Sequence, residues 1–81
     1  MLWIKTKVGG SVFVGTSKVT LVFRGRQSVL VSVDGKQYPI ARGGHKEFPT
    51  FTLHIYSGDK SLKLGFDAPQ HISIRRAELE T

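Results

Sequence analysis

Hydrophobicity alternates with period two along almost the whole of this chain. Successive residues of a strand point to opposite faces of a sheet, so such alternation makes ribbons with one face toward a core. Leu2 and Ile4 oppose Trp3, Lys5 and Lys7, and Val12 and Val14 oppose Phe13. Val19, Leu21 and Phe23 oppose Thr20, Val22 and Arg24, while Val29, Val31 and Val33 oppose Leu30 and Ser32. Phe51, Leu53 and Ile55 oppose Thr52, His54 and Tyr56; Leu62, Leu64 and Phe66 oppose Lys63 and Gly65; Ile72 and Ile74 oppose Ser73 and Arg75. Turn residues separate the runs, and Asp34-Gly35 between apolar stretches is a strong signal for a tight hairpin. Pro39 donates no ladder hydrogen bond, so the strand around Tyr38-Pro39 is expected to be either an edge strand or a short one. Only residues 76–81 suit the start of a helix, and so short a segment does not hold one alone. The expectation is an all-β chain, a small antiparallel sandwich or barrel of about eight short strands.

The chain has 81 residues, which makes one domain with a small core. Such domains often need a staple. With no cysteine there is no disulfide, which suits the cytoplasm, and His45, His54 and His71 lack metal-ligand spacing. Association remains, so a homodimer is expected. Twelve Lys and Arg against six Asp and Glu give a net charge of +6 and a pI near 10.1, the balance either of a polyanion binder or of a basic protein with no nucleic-acid role. Neither an apolar run of about eighteen residues nor a charged-then-apolar leader is present, so no membrane partner and a cytoplasmic location are expected. No Ser/His/Asp ordering, Gly-rich loop leading into a helix, or carboxylate pair stands out. The chain therefore reads as a non-enzyme with no catalytic residue, metal or cofactor.

An internal repeat is the second organising feature. Ser28-Val-Leu-Val-Ser-Val-Asp-Gly-Lys-Gln37 lies over Ser61-Leu-Lys-Leu-Gly-Phe-Asp-Ala-Pro-Gln70, and Arg42 falls on Arg75 at the same offset. Upstream, Val19-Thr-Leu aligns with Phe51-Thr-Leu after a one-residue gap. Any two hairpins share alternation, so the repeat is either a true duplication or a chance match of pattern.

Two segments carry a family likeness. The run Leu64-Gly-Phe-Asp-Ala-Pro-Gln-His-Ile-Ser-Ile-Arg-Arg-Ala-Glu-Leu79 and the opening Met1-Leu-Trp-Ile-Lys-Thr-Lys-Val-Gly-Gly10 resemble the carbon storage regulator family (CsrA/RsmA) of small bacterial RNA-binding proteins. The first resembles its Ala-Pro turn and last strand, ending in a basic pair, and the second its first strand and closing Val-Gly. Leu2, Ile4, Val8 and Gly9 fall on family positions; Ser11, Phe13 and Gly15 fit its second strand, residues 52–58 its third, 62–66 its fourth and 72–76 its fifth. Residues 16–50 are extra, as an insertion or as the first copy of the repeat.

The resemblance implies five strands and a C-terminal helix, in two interlocked chains. It also implies that the first strand of one chain and the last of the other lie side by side as an RNA-binding face. Its ligand would be a GGA motif in hairpin loops of mRNA leaders or small RNAs, its outcome a change in translation or message stability. Departures are Thr6 where the family usually has Arg, Arg75-Arg76 for His-Arg, Asp67 for Asn before Ala-Pro, and little of the helix.

The RNA-binding set implied is Leu2, Ile4, Lys5, Lys7, Ala68, Pro69, Gln70, Ser73, Ile74, Arg75 and Arg76. The Ala68-Pro69-Gln70 turn and its strand would offer main-chain groups to base edges. Ile4 and Ile74 are either an apolar floor for bases or core. Lys5, Lys7 and Arg75 would meet phosphates, and the fork of Arg76 suits a guanine edge or a phosphate; otherwise the lysines are solvated strand charges and the arginines pair with Glu78 or Glu80. Trp3 with Tyr38 or Tyr56 either stacks on bases or packs beside the core. The middle basic set, Arg24, Arg26, Lys36, Arg42, His45 and Lys46, reads as structural with added charge. Two other readings fit the same residues. One is a protein-interaction module, acting through a mixed dimer or a protein antagonist. The other is a basic barrel binding nucleic acid by charge alone.

Overall fold

Each alternating run becomes a strand in the computed structural model, which describes residues 1–58 and 61–77. The strands are β1 Leu2–Lys5, β2 Ser11–Val14, β3 Ser17–Arg24, β4 Ser28–Val33, β5 Lys36–Ala41, β6 His45–Glu47, β7 Thr52–Ser57, β8 Leu62–Asp67 and β9 Ile74–Arg76. They form a four-stranded sheet in the order β1-β8-β7-β6 and a five-stranded sheet in the order β5-β4-β3-β2-β9, antiparallel throughout. There is no helix among the described residues; of the segment 76–81 that the sequence offered as a helix start, Arg76 ends β9 and residues 78–81 lie outside the described residues.

The inner faces meet in one core. The five-stranded sheet contributes mainly short branched side chains, Val12, Val14, Val19, Val29, Val31 and Val33, with Leu21 and Ile40. The four-stranded sheet contributes longer ones, Leu53, Ile55, Leu62, Leu64 and Phe66, with Ile4. Small against large lets the two layers interdigitate, and each such side chain is worth roughly 1.5–3 kcal/mol when buried.

Three local departures from the alternation have identifiable causes. Phe23 belongs by periodicity to the inner face but is exposed, because the β3–β4 register shifts between Leu21 and Phe23. A bulge adds one residue and flips all that follow. Leu2 also belongs to the inner face but sits at the start of an edge strand and stays half-exposed. Strand β6, His45-Lys46-Glu47, gives no alternation signal, since its inward position is a lysine. Its ammonium lies 5.1 Å from the centre of the Tyr38 ring and 5.9 Å from that of Phe48, so aromatic faces take the place of an apolar contact.

The hairpin between β4 and β5 turns on Asp34 (φ 52°) and Gly35 (φ 90°), both left-handed as a two-residue loop requires. The Asp34 carboxylate accepts a hydrogen bond from the Lys18 backbone N–H at 2.9 Å, tying the turn to β3. Pro39 pairs with Leu30 in β5, the edge strand, where the missing donor costs least.

Two halves of the chain repeat one another strand for strand. At the first corner between sheets, Gly10 N–H donates to Lys7 O (2.8 Å), Gly9 N–H to Leu21 O (2.7 Å) and Leu21 N–H to Gly10 O (3.0 Å). At the second corner, Gly44 N–H donates to Ala41 O (2.8 Å), Gly43 N–H to Ile55 O (3.0 Å) and Ile55 N–H to Gly44 O (3.0 Å). Cross-strand pairs correspond in the same way: Ile4 with Leu64 matches Tyr38 with Val31, Ser11 with Thr20 matches His45 with His54, and Leu21 with Val31 matches Ile55 with Leu64. Each half lends its first strand to the other half's sheet, β1 pairing with β8 and β5 with β4.

This equivalence agrees with the sequence alignment only downstream of the bulge, where residues 28–33 match 61–66. Val19 corresponds to Leu53 rather than Phe51, because the bulge supplies the extra residue in the first half. Gln37 and Arg42 lie in β5 and the second corner, whereas Gln70 and Arg75 lie in a turn and in β9. The chain passes from β4 to β5 through two residues, so the first half has no counterpart of β9.

Candidate nucleic-acid interface

Strand β1 is the edge of the four-stranded sheet and β9 the edge of the five-stranded sheet. Within the chain they are not hydrogen-bonded to each other: β1 pairs with β8, and β9 with β2. The two edges instead border one cleft of about 500 Å³, lined by residues 4–8, residues 10–12 and Arg76. Residues near the two ends of the sequence thus meet because the first corner carries the chain from β1 in one sheet to β2 in the other, and β9 adds to β2.

Lys5 and Lys7 are exposed along this cleft, and Arg76 lies across from them. Thr6 between the two lysines is buried: its backbone N–H donates to Leu62 O (3.0 Å) and its hydroxyl to Ile4 O (3.0 Å). That position holds the strand to β8, and the flanking lysines supply the charge. Ile4 is a core residue, 7% exposed, whose edge contributes to the cleft wall.

The basic pair at the end of β9 divides between the faces of the strand. The guanidinium of Arg75 sits 5.8 Å from the centre of the Phe13 ring and donates to Ser73 Oγ at 2.9 Å, while Arg76 lines the cleft. Ile74 is half-buried against the core, and Ser73 O accepts the Gly15 N–H at 2.7 Å, extending the β2–β9 ladder.

The Ala68-Pro69-Gln70 turn lies elsewhere. It is closed by Ile72 N–H donating to Pro69 O at 2.9 Å; Ala68 packs against the core while Pro69 and Gln70 are exposed. Ala68 and Pro69 line a second cleft with Phe48, Phe51, Asp67 and His71, not the first. Leu2 pairs with Phe66, at the far end of β1 from Lys7. The sequence-derived set therefore separates into a cleft group (Ile4, Lys5, Lys7, Arg76), a turn group (Ala68, Pro69, Gln70) and residues that belong to neither cleft (Leu2, Ser73, Ile74, Arg75).

Thr6, Val8, Gly10, Ser11 and Val12 complete the cleft lining and were not in that set; the first corner and the pairing of β2 with β9 put them there. Tyr38 packs on Phe48, with ring centres 5.2 Å apart, and is half-buried, whereas Trp3 and Tyr56 are exposed. Among the described residues no cluster of His, Asp or Glu is placed to hold a metal ion, and no helix is long and apolar enough to cross a membrane.

No family model, curated protein or solved structure matches this chain.

Proposed function

We propose that this protein is an RNA-binding post-transcriptional regulator. On this reading it takes a GGA-bearing hairpin loop, from an mRNA leader or a small RNA, into the cleft between β1 and β9. The observation that carries the reading is the meeting of two segments remote in sequence. The stretches that resemble the first and last strands of the carbon storage regulator family border one cleft of one chain, with Lys5 and Lys7 on one wall and Arg76 on the other. A single-stranded loop presents phosphates and exposed base edges together, and lysines suit the first as an arginine fork suits the second. Binding would act on translation or message stability by covering the bound segment.

The internal repeat takes the role of the second chain expected from the family. Each half already completes the other's sheet, so a monomer closes its own core. The second half offers no matching cleft: the positions of Lys5, Thr6 and Lys7 are held there by Pro39, Ile40 and Ala41, and β9 has no counterpart. One chain then carries one RNA site.

The test is a gel-shift titration at near-physiological salt with a hairpin bearing GGA in its loop, beside the same hairpin with CCA. Tight binding lost with the triplet is expected. Equal binding to both overturns the sequence-selective reading in favour of a charge-driven binder. Binding to neither overturns it in favour of a protein-interaction module.

A further inference from the structure

The outer face of the four-stranded sheet carries a feature that the cleft does not use. One line of cross-strand partners runs across all four strands: Trp3 with Gly65, Gly65 with His54, and His54 with His45. Gly65 leaves a gap in that line, and the Trp3 indole lies in it, reaching across β8. The indole meets His54 edge-on (centroids 6.4 Å apart, 61° between planes) and Tyr56 edge-on (6.2 Å, 72°), while His54 stacks on His45 (5.3 Å, 27°). These rings pack on one another yet stay open to solvent, with Trp3 44% and Tyr56 52% exposed. The neighbouring line is Lys5, Lys63 and Tyr56, and the Lys63 ammonium lies 5.9 Å from the Tyr56 ring centre.

The repeat supplies an internal control. The corresponding line on the five-stranded sheet is Gln37, Ser32, Thr20 and Ser11, with the Ser11 and Thr20 hydroxyls hydrogen-bonded at 2.7 Å. Tyr56 alone has an aromatic counterpart, Phe23, and that residue faces Leu30 instead of a lysine. The fold therefore closes with small polar groups in this row, and the aromatic row is not a requirement of packing.

We infer that this face is a second binding surface, a stacking platform for single-stranded nucleic acid with little sequence preference. Flat exposed rings accept bases of any identity, and lysines in the adjacent row meet the phosphates between them. The +6 net charge favours a polyanion over a protein surface of mixed sign. The platform shares β1 and its Lys5 with the cleft, but its rings and Lys63 lie outside the cleft and do not depend on GGA recognition.

Trp3 is the only tryptophan, so its emission reports on the platform directly. The experiment titrates wild type, Tyr56→Ala, His54→Ala and Arg76→Ala with an oligothymidylate of about ten nucleotides, which contains no GGA. Saturable quenching is expected in wild type and in Arg76→Ala. Affinity is expected to fall at least about fivefold in Tyr56→Ala, the low end of one base stack. A labelled oligonucleotide read by anisotropy gives the same measurement for Trp3→Ala, and Thr20→Ala on the other sheet should bind as wild type. Binding without quenching, no binding, or unchanged affinity in both Tyr56→Ala and Trp3→Ala overturns the platform. The GGA hairpin in parallel reports on the cleft, so either surface can fail alone.

Discussion

The indole of Trp3 fills the space that Gly65 leaves: a Cβ at Gly65 would stand 2.6 Å from the indole Cζ3. The atoms in the way belong to the outer end of an exposed side chain, so the ring moves and the strands hold. Gly65→Ala should displace the indole from its edge contacts with His54 and Tyr56. An aromatic pair is worth about 0.5–1.5 kcal/mol, and the loss of stability should be of that size. A red shift of tryptophan emission together with a small fall in the urea midpoint is the expected result. An unchanged emission spectrum would show that the indole does not rest on Gly65.

Arg76→Ala should weaken binding of a GGA hairpin by about 1–3 kcal/mol, the value of a bidentate base contact. Arg75→Ala should matter less, because its guanidinium lies over Phe13 on the other face of β9. Titration of both variants against one hairpin checks the order; a larger effect at Arg75 would move the site out of the cleft.

Sedimentation equilibrium should give the mass of a single 9.0 kDa chain, and one hairpin bound per chain. The physical ground is the mutual completion of the two halves, together with Pro39, Ile40 and Ala41 in the places of Lys5, Thr6 and Lys7. A dimer mass, or two hairpins on one chain, would refute the single-chain site.

Gly9 (φ 91°) and Gly43 (φ 78°) hold equivalent corners, and a Cβ at either meets nothing within 4 Å. The cost of an alanine there is backbone strain alone, about 1–2 kcal/mol. Gly9→Ala and Gly43→Ala should each lower stability by that amount, measured by urea unfolding. They should also add in the double variant, since neither substitution shares a side-chain contact with the other. Very unequal costs would show that the two corners are not equivalent.

Leu64, fully buried on the central strand β8, should lose about 2–5 kcal/mol on truncation to Ala. Its counterpart Val31 has fewer atoms to lose, so Val31→Ala should cost less. Paired denaturation curves test this asymmetry between the sheets.

The all-β architecture, most strand positions and the buried face follow from the alternation alone. Alternation is a local property that needs no partner to be read, as Val29, Val31 and Val33 illustrate. The Asp34-Gly35 hairpin and the edge position of Pro39 were likewise legible, because backbone chemistry alone dictates them. The likeness of the two chain ends to one family pointed to β1 and β9, whose meeting within one chain at a shared cleft it did not specify. Tertiary structure decided the rest. The bulge at Val22 moved Phe23 outward, and no periodicity announces an inserted residue. Strand β6 exists because β7 offers it a hydrogen-bonding edge, not because His45-Lys46-Glu47 has a pattern. The split of Ala68-Pro69-Gln70 from Lys5, Lys7 and Arg76, and the alignment of Trp3 with His54 through Gly65, depend on register between strands distant in sequence. Register is settled by the packing of the whole core, and so by no single segment.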